Sequence, residues 1–165
     1  MQDEVDELIA AWRRERPDLP LEPMALWSRV KRLEQYLDMA RRSAFAEHGL
    51  EIWEFDVLAA LRRAGDPYHL TPGQLLKETH VTSGTMTNRV DRLVERGFVV
   101  RDSHPVDGRG VLVVLTEQGK LRVDAALDSL LATEESLLGS LSSERLERIG
   151  DDLRVLLLAQ AAAQQ

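Results

Sequence analysis

The sequence predicts a mainly α-helical fold carrying one small β-hairpin. Three observations predict it. Apolar residues recur at helical spacing along most of the chain. Two short β-branched runs, Phe98-Val99-Val100-Arg101 and Val111-Leu112-Val113-Val114-Leu115, flank a turn-rich stretch at 103–110. The chain has 165 residues, enough for a single compact domain with its own core.

The elements follow in order. Val5, Leu8, Ile9 and Trp12 form one stripe of a first helix over residues 3–15. Proline at 17, 20 and 23 breaks the chain, and Pro23 suits the first turn of a long helix over about 23–47. Its stripe includes Leu26, Val30, Leu33, Leu37, Ala40 and Ala44, and Gly49 ends it. Residues 51–64 are apolar on most of their surface, which marks a buried central helix. Tyr68-His69-Leu70 has the makings of a very short strand. Thr71-Pro72 reads as an N-cap and first helical position, opening a short helix to Thr79. His80-Val81-Thr82 makes a turn, Thr82 is placed to cap a helix over 83–96, and Gly97 stops it. After the hairpin, Thr116 caps a helical region that runs to about Leu138, breaks near Gly139-Ser140, and resumes over 142–160. Residues 161–165 are expected to fray.

The net charge of −7 argues at first against a nucleic-acid partner, but its distribution does not. Residues 1–56 carry −5, residues 57–122 carry +3 and residues 123–165 carry −5, so the potentially basic region is the middle. Local field rather than total charge attracts a phosphate backbone. There is no cysteine, which excludes disulfides and thiolate metal sites. The histidines (48, 69, 80, 104) show no metal spacing, and no cofactor is expected. No nucleophile triad or phosphate loop stands out, so an enzyme is not expected. The acidic start of the chain is unlike a secretory leader, and no apolar run approaches the roughly 20 residues that span a bilayer. A cytoplasmic protein without a membrane partner is expected.

Helix, turn, helix, strand, loop, strand is the order of a winged helix-turn-helix. In its second helix, a step of about 100° per residue puts Met86, Val90, Leu93 and Val94 on one buried stripe. Gly84, Thr85, Asn88 and Arg92 stand opposite, suited to base edges and phosphates in a major groove. Arg109, at the hairpin tip, is placed to reach a minor groove or a phosphate. The same pattern also describes an ordinary solvated helix face beside an ordinary hairpin.

Residues 70–119 resemble the MarR family of winged-helix transcription regulators. Leu70-Thr71-Pro72-Gly73-Gln74-Leu75-Leu76 is similar to the family's first helix-turn-helix element. Val81-Thr82-Ser83-Gly84-Thr85-Met86-Thr87-Asn88-Arg89-Val90-Asp91-Arg92-Leu93-Val94-Glu95-Arg96-Gly97-Phe98-Val99 resembles its recognition helix and exit. Asp107-Gly108-Arg109 and Val114-Leu115-Thr116-Glu117-Gln118-Gly119 resemble its wing and the following helix. His104 stands where the family often has Asp. The resemblance implies one domain over 1–165: a winged core at 51–116, dimerisation helices at 23–48 and 117–160, and an extra N-terminal helix at 1–16. It implies a homodimer on a pseudo-palindromic stretch of double-stranded DNA, with Ser83, Gly84, Thr85, Thr87, Asn88, Arg92 and Arg109 as DNA contacts.

A sharper resemblance is to the urate-responsive, PecS/HucR-like branch of the family. It implies a ligand site at Trp12, Asp56, Arg89 and Arg101, the last three spaced 33 and 12 residues apart. The residues themselves leave two readings open. Asp56 lies in an apolar helix and needs a cationic or hydrogen-bonding partner. Arg89 borders its helix's apolar stripe, where its guanidinium fork suits a planar anion. Trp12 offers a flat face and one donor. The same set also reads as a structural ion pair, Asp56 with Arg89 or Arg101, with Trp12 in a dimer core, and Trp27 and Trp53 read as packing. The expected function is a ligand-responsive repressor released from its operator by a small planar anion such as urate. The alternatives are a regulator sensing a tricarboxylate or a phenol, and a winged helix used for protein contacts without DNA.

Overall fold

The computed structural model describes residues 2–103 and 110–163. Its helices are α1 (Glu4–Glu15), α2 (Glu22–Ala46), α3 (Ile52–Arg63), α4 (Pro72–Thr79), α5 (Ser83–Glu95), α6 (Glu117–Leu138) and α7 (Ser143–Ala163). Its strands are β1 (His69–Leu70), β2 (Val99–Ser103) and β3 (Val111–Leu115). The chain forms two compact units, Met1–Thr133 and Glu134–Gln165.

In the first unit α3 is the central element. Phe55 and every residue from Val57 to Leu61 are buried, and Phe55 stacks on Phe45 of α2 with ring centroids 4.1 Å apart. Leu75 of α4, Met86, Val90 and Leu93 of α5, and Val99, Val113 and Leu115 of the sheet close the same core. α4 begins as its sequence dictates: the Thr71 hydroxyl accepts from the Gln74 amide at 3.2 Å, and the Gln74 side chain accepts from the Thr71 amide at 2.8 Å. Thr82 differs from expectation. Its hydroxyl pairs with that of Thr85 at 2.9 Å and makes no capping bond to the backbone.

The expected hairpin is a three-stranded antiparallel sheet in the order β1-β3-β2. β1 adds Leu70 opposite Val113, while Arg101 of β2 faces Val113 from the other side. Two glycines fix the approach to this sheet. Gly97 turns the chain out of α5 at φ +72, a left-handed conformation that a side chain disfavours. Gly119 lets α6 press on the strand entry: a Cβ there would sit 2.1 Å from the Phe98 carbonyl oxygen. Thr116 caps α6, its hydroxyl accepting from the Gly119 amide at 3.0 Å.

α1 does not leave its stripe uncovered within the chain. Val5 and Ile9 are buried against Leu21 and Ala25, because the chain reverses after α1 and returns Leu21 beneath it. The Arg29 guanidinium seals the pair, donating to Asp3 at 2.8 Å and Asp6 at 2.7 Å. Trp12, at the far end of the stripe, stays 43% exposed. α2 exposes Leu26, Trp27, Leu33, Tyr36 and Met39. In the second unit α7 continues to Ala163, past the expected fraying point, and buries none of its residues, with Leu153, Val155, Leu157 and Leu158 exposed.

Candidate DNA interface and ligand pocket

α5 has one face in the core and one in solvent. Met86, Val90 and Leu93 hold it down, while Ser83, Gly84, Thr85, Thr87, Asn88 and Arg92 are exposed. The exposed set is made of short hydroxyl and amide groups that allow close approach, followed by one guanidinium. Arg109 lies outside the described residues, with the rest of 104–109. Asp91 accepts from Arg101 of β2 at 2.5 Å, which ties α5 to β2.

Arg92 is not free in solution. Its Nη2 donates to Glu51 Oε1 at 2.9 Å, and its guanidinium carbon lies 4.7 Å from the centre of the Trp53 ring. Trp53 Nε1 donates to the other oxygen of Glu51 at 2.7 Å. Those two donors hold the Glu51 carboxyl below its usual range, the Trp53 bond first. Arg89 lies over the same indole at 5.5 Å. Trp53 is therefore more than packing: two guanidiniums of one helix, three residues apart, rest on its ring.

Beside this group is a cleft of about 510 Å³, open to solvent and one of several of similar size among the described residues. Asp38, Arg42, Glu51, Trp53, Asp56 and Arg89 line it, with Leu50 and Ile52 among its apolar walls. Its polar lining is mixed in sign. Arg42 is partnered by Asp38 at 2.9 Å. Asp56 is half-buried rather than fully buried, its side chain 41% exposed, and its nearest ion-pair partner is Arg41 at 3.8 Å. Burial pushes its pKa up, and the charges of Arg41, Arg89 and Arg63 pull it back only in part. The buried acid of α3 is instead Glu54, which is fully enclosed. It accepts from Arg96 Nη1 at 2.5 Å and caps the helix by accepting from the Glu51 amide at 2.9 Å.

Of the four ligand residues expected from the sequence, the structure brings Asp56 and Arg89 to one cavity. Trp12 and Arg101 are not among its lining residues. Glu51, Trp53, Arg42 and Asp38 line the same cavity and are not among the residues expected from the sequence. The only sequence signal for the first was the Glu51-x-x-Glu54 spacing at a helix start. Among the described residues no group of three His, Asp or Glu side chains is placed to hold a metal ion. No helix among them is long and apolar enough to cross a membrane.

Residues 48–110 match the MarR family. The transcriptional regulator PecS of Dickeya dadantii is 34% identical over 141 residues, covering 86% of this chain and 85% of PecS. A mutant of MarR from Escherichia coli, solved in complex with operator DNA, aligns with a TM-score of 0.71 and 28% identity, covering 85% of this chain and 99% of that one. Bordetella bronchiseptica BpsR, whose DNA binding is described as regulated by 6-hydroxynicotinic acid, aligns with a TM-score of 0.65 and 25% identity, covering 77% of this chain and 89% of that one.

Proposed function

Since this chain belongs to the MarR family of winged-helix, DNA-binding transcription regulators, we propose that it is a repressor released from its operator by a small planar anion, urate or a related purine metabolite. One observation carries the reading. Asp56 of the central helix and Arg89 of the recognition helix face the same cavity, so whatever occupies it touches both the core and the DNA-reading element.

The chemistry of the lining favours a urate-like ligand. A weakly acidic heterocycle presents ring N–H donors beside carbonyl acceptors and a single negative charge. Guanidiniums at Arg42 and Arg89 suit its acceptors and its negative charge, and the Glu51 carboxylate suits its donors. A tricarboxylate would set three anions against Asp38, Glu51 and Asp56 and is disfavoured. A planar nitrogen-heterocyclic ligand is also what the BpsR comparison points towards.

In this reading the anion binds Arg89 and is repelled by Asp56. The central helix shifts, Arg89 draws the recognition helix with it, and the two reading heads of a dimer lose their operator spacing. The ligand does this only to the extent that it binds the DNA-free conformation better. Arg101 acts through the recognition helix, by its bond to Asp91. Trp12 joins the site from the exposed end of α1, across the dimer. The second copy covers the apolar side chains that α2 and α7 leave in solvent. Ser83, Gly84, Thr85, Thr87 and Asn88 read base edges and phosphates of a pseudo-palindrome, its half-sites about 10 base pairs apart. Arg92 and Arg109 add guanidiniums for phosphate.

The test is a gel shift with genomic fragments, with and without urate. A retarded, urate-sensitive fragment with dyad symmetry supports the reading. Retardation without urate sensitivity moves the ligand to another class, and no retardation of any fragment favours a protein-contact module.

A further inference from the structure

We propose that Glu51 sets this protein's affinity for DNA by holding the Arg92 guanidinium in the place a DNA phosphate would take. The inference rests on the DNA-binding reading and goes beyond it, because it concerns affinity for DNA of any sequence.

Arg92 lies one helical turn beyond Asn88 and two beyond Thr85, on the exposed face of α5. Of the arginines near this face, Arg96 is committed elsewhere. It donates to the buried Glu54 and, at 2.7 Å, to the Gly49 carbonyl. Arg89 faces the cavity. Arg92 alone among these three is bound by a carboxylate that is itself in solvent, with side-chain exposures of 49% for Arg92 and 58% for Glu51.

A carboxylate and a phosphate offer a guanidinium the same pair of acceptor oxygens. An exposed ion pair is held weakly and exchanges its partner readily. Two features nonetheless keep Arg92 on Glu51 when no DNA is present. Trp53 orients the carboxylate by donating to its second oxygen, and the indole face supports the guanidinium from below. Binding DNA then requires Arg92 to leave Glu51, and the carboxylate left behind repels the incoming phosphate. Glu51 thus lowers affinity for every sequence alike and leaves the ratio between an operator and bulk DNA unchanged.

The experiment uses the full chain and a duplex of unrelated sequence, titrated by fluorescence anisotropy across a range of sodium chloride concentrations. Wild type, Glu51→Gln, Arg92→Gln and the double variant make a cycle. Glu51→Ser, which keeps a good N-cap residue, guards against a folding defect in the first variant. Freeing one arginine for a phosphate should tighten non-specific binding about three- to tenfold near 0.1 M salt and steepen the slope of log K against log salt by about 0.9. In the Arg92→Gln background the Glu51 substitution should change neither quantity. The proposal is overturned if both Glu51 variants in the Arg92 background leave affinity and slope unchanged or weaken binding. It is equally overturned if the gain persists without Arg92, since Glu51 would then act only as a distant charge. Wild-type protein that binds no duplex at any salt overturns the DNA-binding reading and this inference together. A wild type that binds, with a flat cycle, overturns this inference alone.

Discussion

The carboxylate of Glu54, fully buried in the central helix, meets the guanidinium of Arg96 just past the recognition helix at 2.5 Å. That contact fixes the C-terminal end of α5 against α3. The same guanidinium reaches the Gly49 carbonyl and lies over the Phe98 ring at 4.6 Å, so α3, the preceding loop and the strand entry share one cation.

Removing that cation leaves a buried charge without its partner. Breaking a fully buried pair costs about 3–5 kcal/mol, and partial exposure of Arg96 reduces this to about 2–3 kcal/mol for Arg96→Met. Urea unfolding measures it. Adding Glu54→Gln to that variant should recover part of the loss. A change below about 0.5 kcal/mol would mean the pair does not hold the helix.

Gly119 reverses a familiar rule. Glycine to alanine inside a helix usually stabilises, by about 0.5–1 kcal/mol. Here the added methyl would collide with the backbone oxygen of Phe98, which has no room to yield because Thr116 bonds to it from its amide and its hydroxyl. Gly119→Ala should therefore destabilise by about 1–3 kcal/mol. A thermal melt showing a higher Tm for the variant would contradict the close approach of α6 to the strand entry.

Asp56 gives a pH signature. Its pKa is raised in the fold, chiefly by burial, so the folded state favours its protonated form. That contribution is complete below the ordinary value of 3.8 and is lost as pH rises through the raised one. At neutral pH the ionised carboxylate works against the fold. Asp56→Asn should thus raise Tm at neutral pH, and its advantage should shrink as pH falls toward about 4. A variant less stable than wild type at neutral pH, or an advantage that grows on acidification, would contradict this environment for Asp56.

The sequence marked the elements well where local chemistry decides them. Thr71-Pro72 opens α4, Gly97 closes the recognition helix, and β3 runs from Val111 to Leu115 as its β-branched residues require. β1 was only suggested, because two residues become a strand only when Val113 and Val114 arrive to pair with them. The buried acid was misplaced by two positions. In a helix apolar nearly all round, periodicity does not say which acidic residue turns inward, and the answer depends on Arg96 approaching Glu54 from another element. Trp53 read as packing for the same reason: its role appears only once α5 lays Arg89 and Arg92 on its ring. The spacing on α1 shows a stripe but not its cover, which for Val5 and Ile9 is Leu21 of the same chain.

The central claim is that ligand in the Asp56–Arg89 cavity drives the protein off its operator. It is tested most directly by titrating urate into a labelled operator complex and following release by anisotropy, for wild type and Arg89→Ala. Arg89 lies between the core and the exposed face of α5, so its loss should spare operator binding. It should weaken the urate response by about ten- to a hundredfold, the worth of one charge-assisted hydrogen bond or slightly more. Release of both proteins at the same urate concentration would contradict the account.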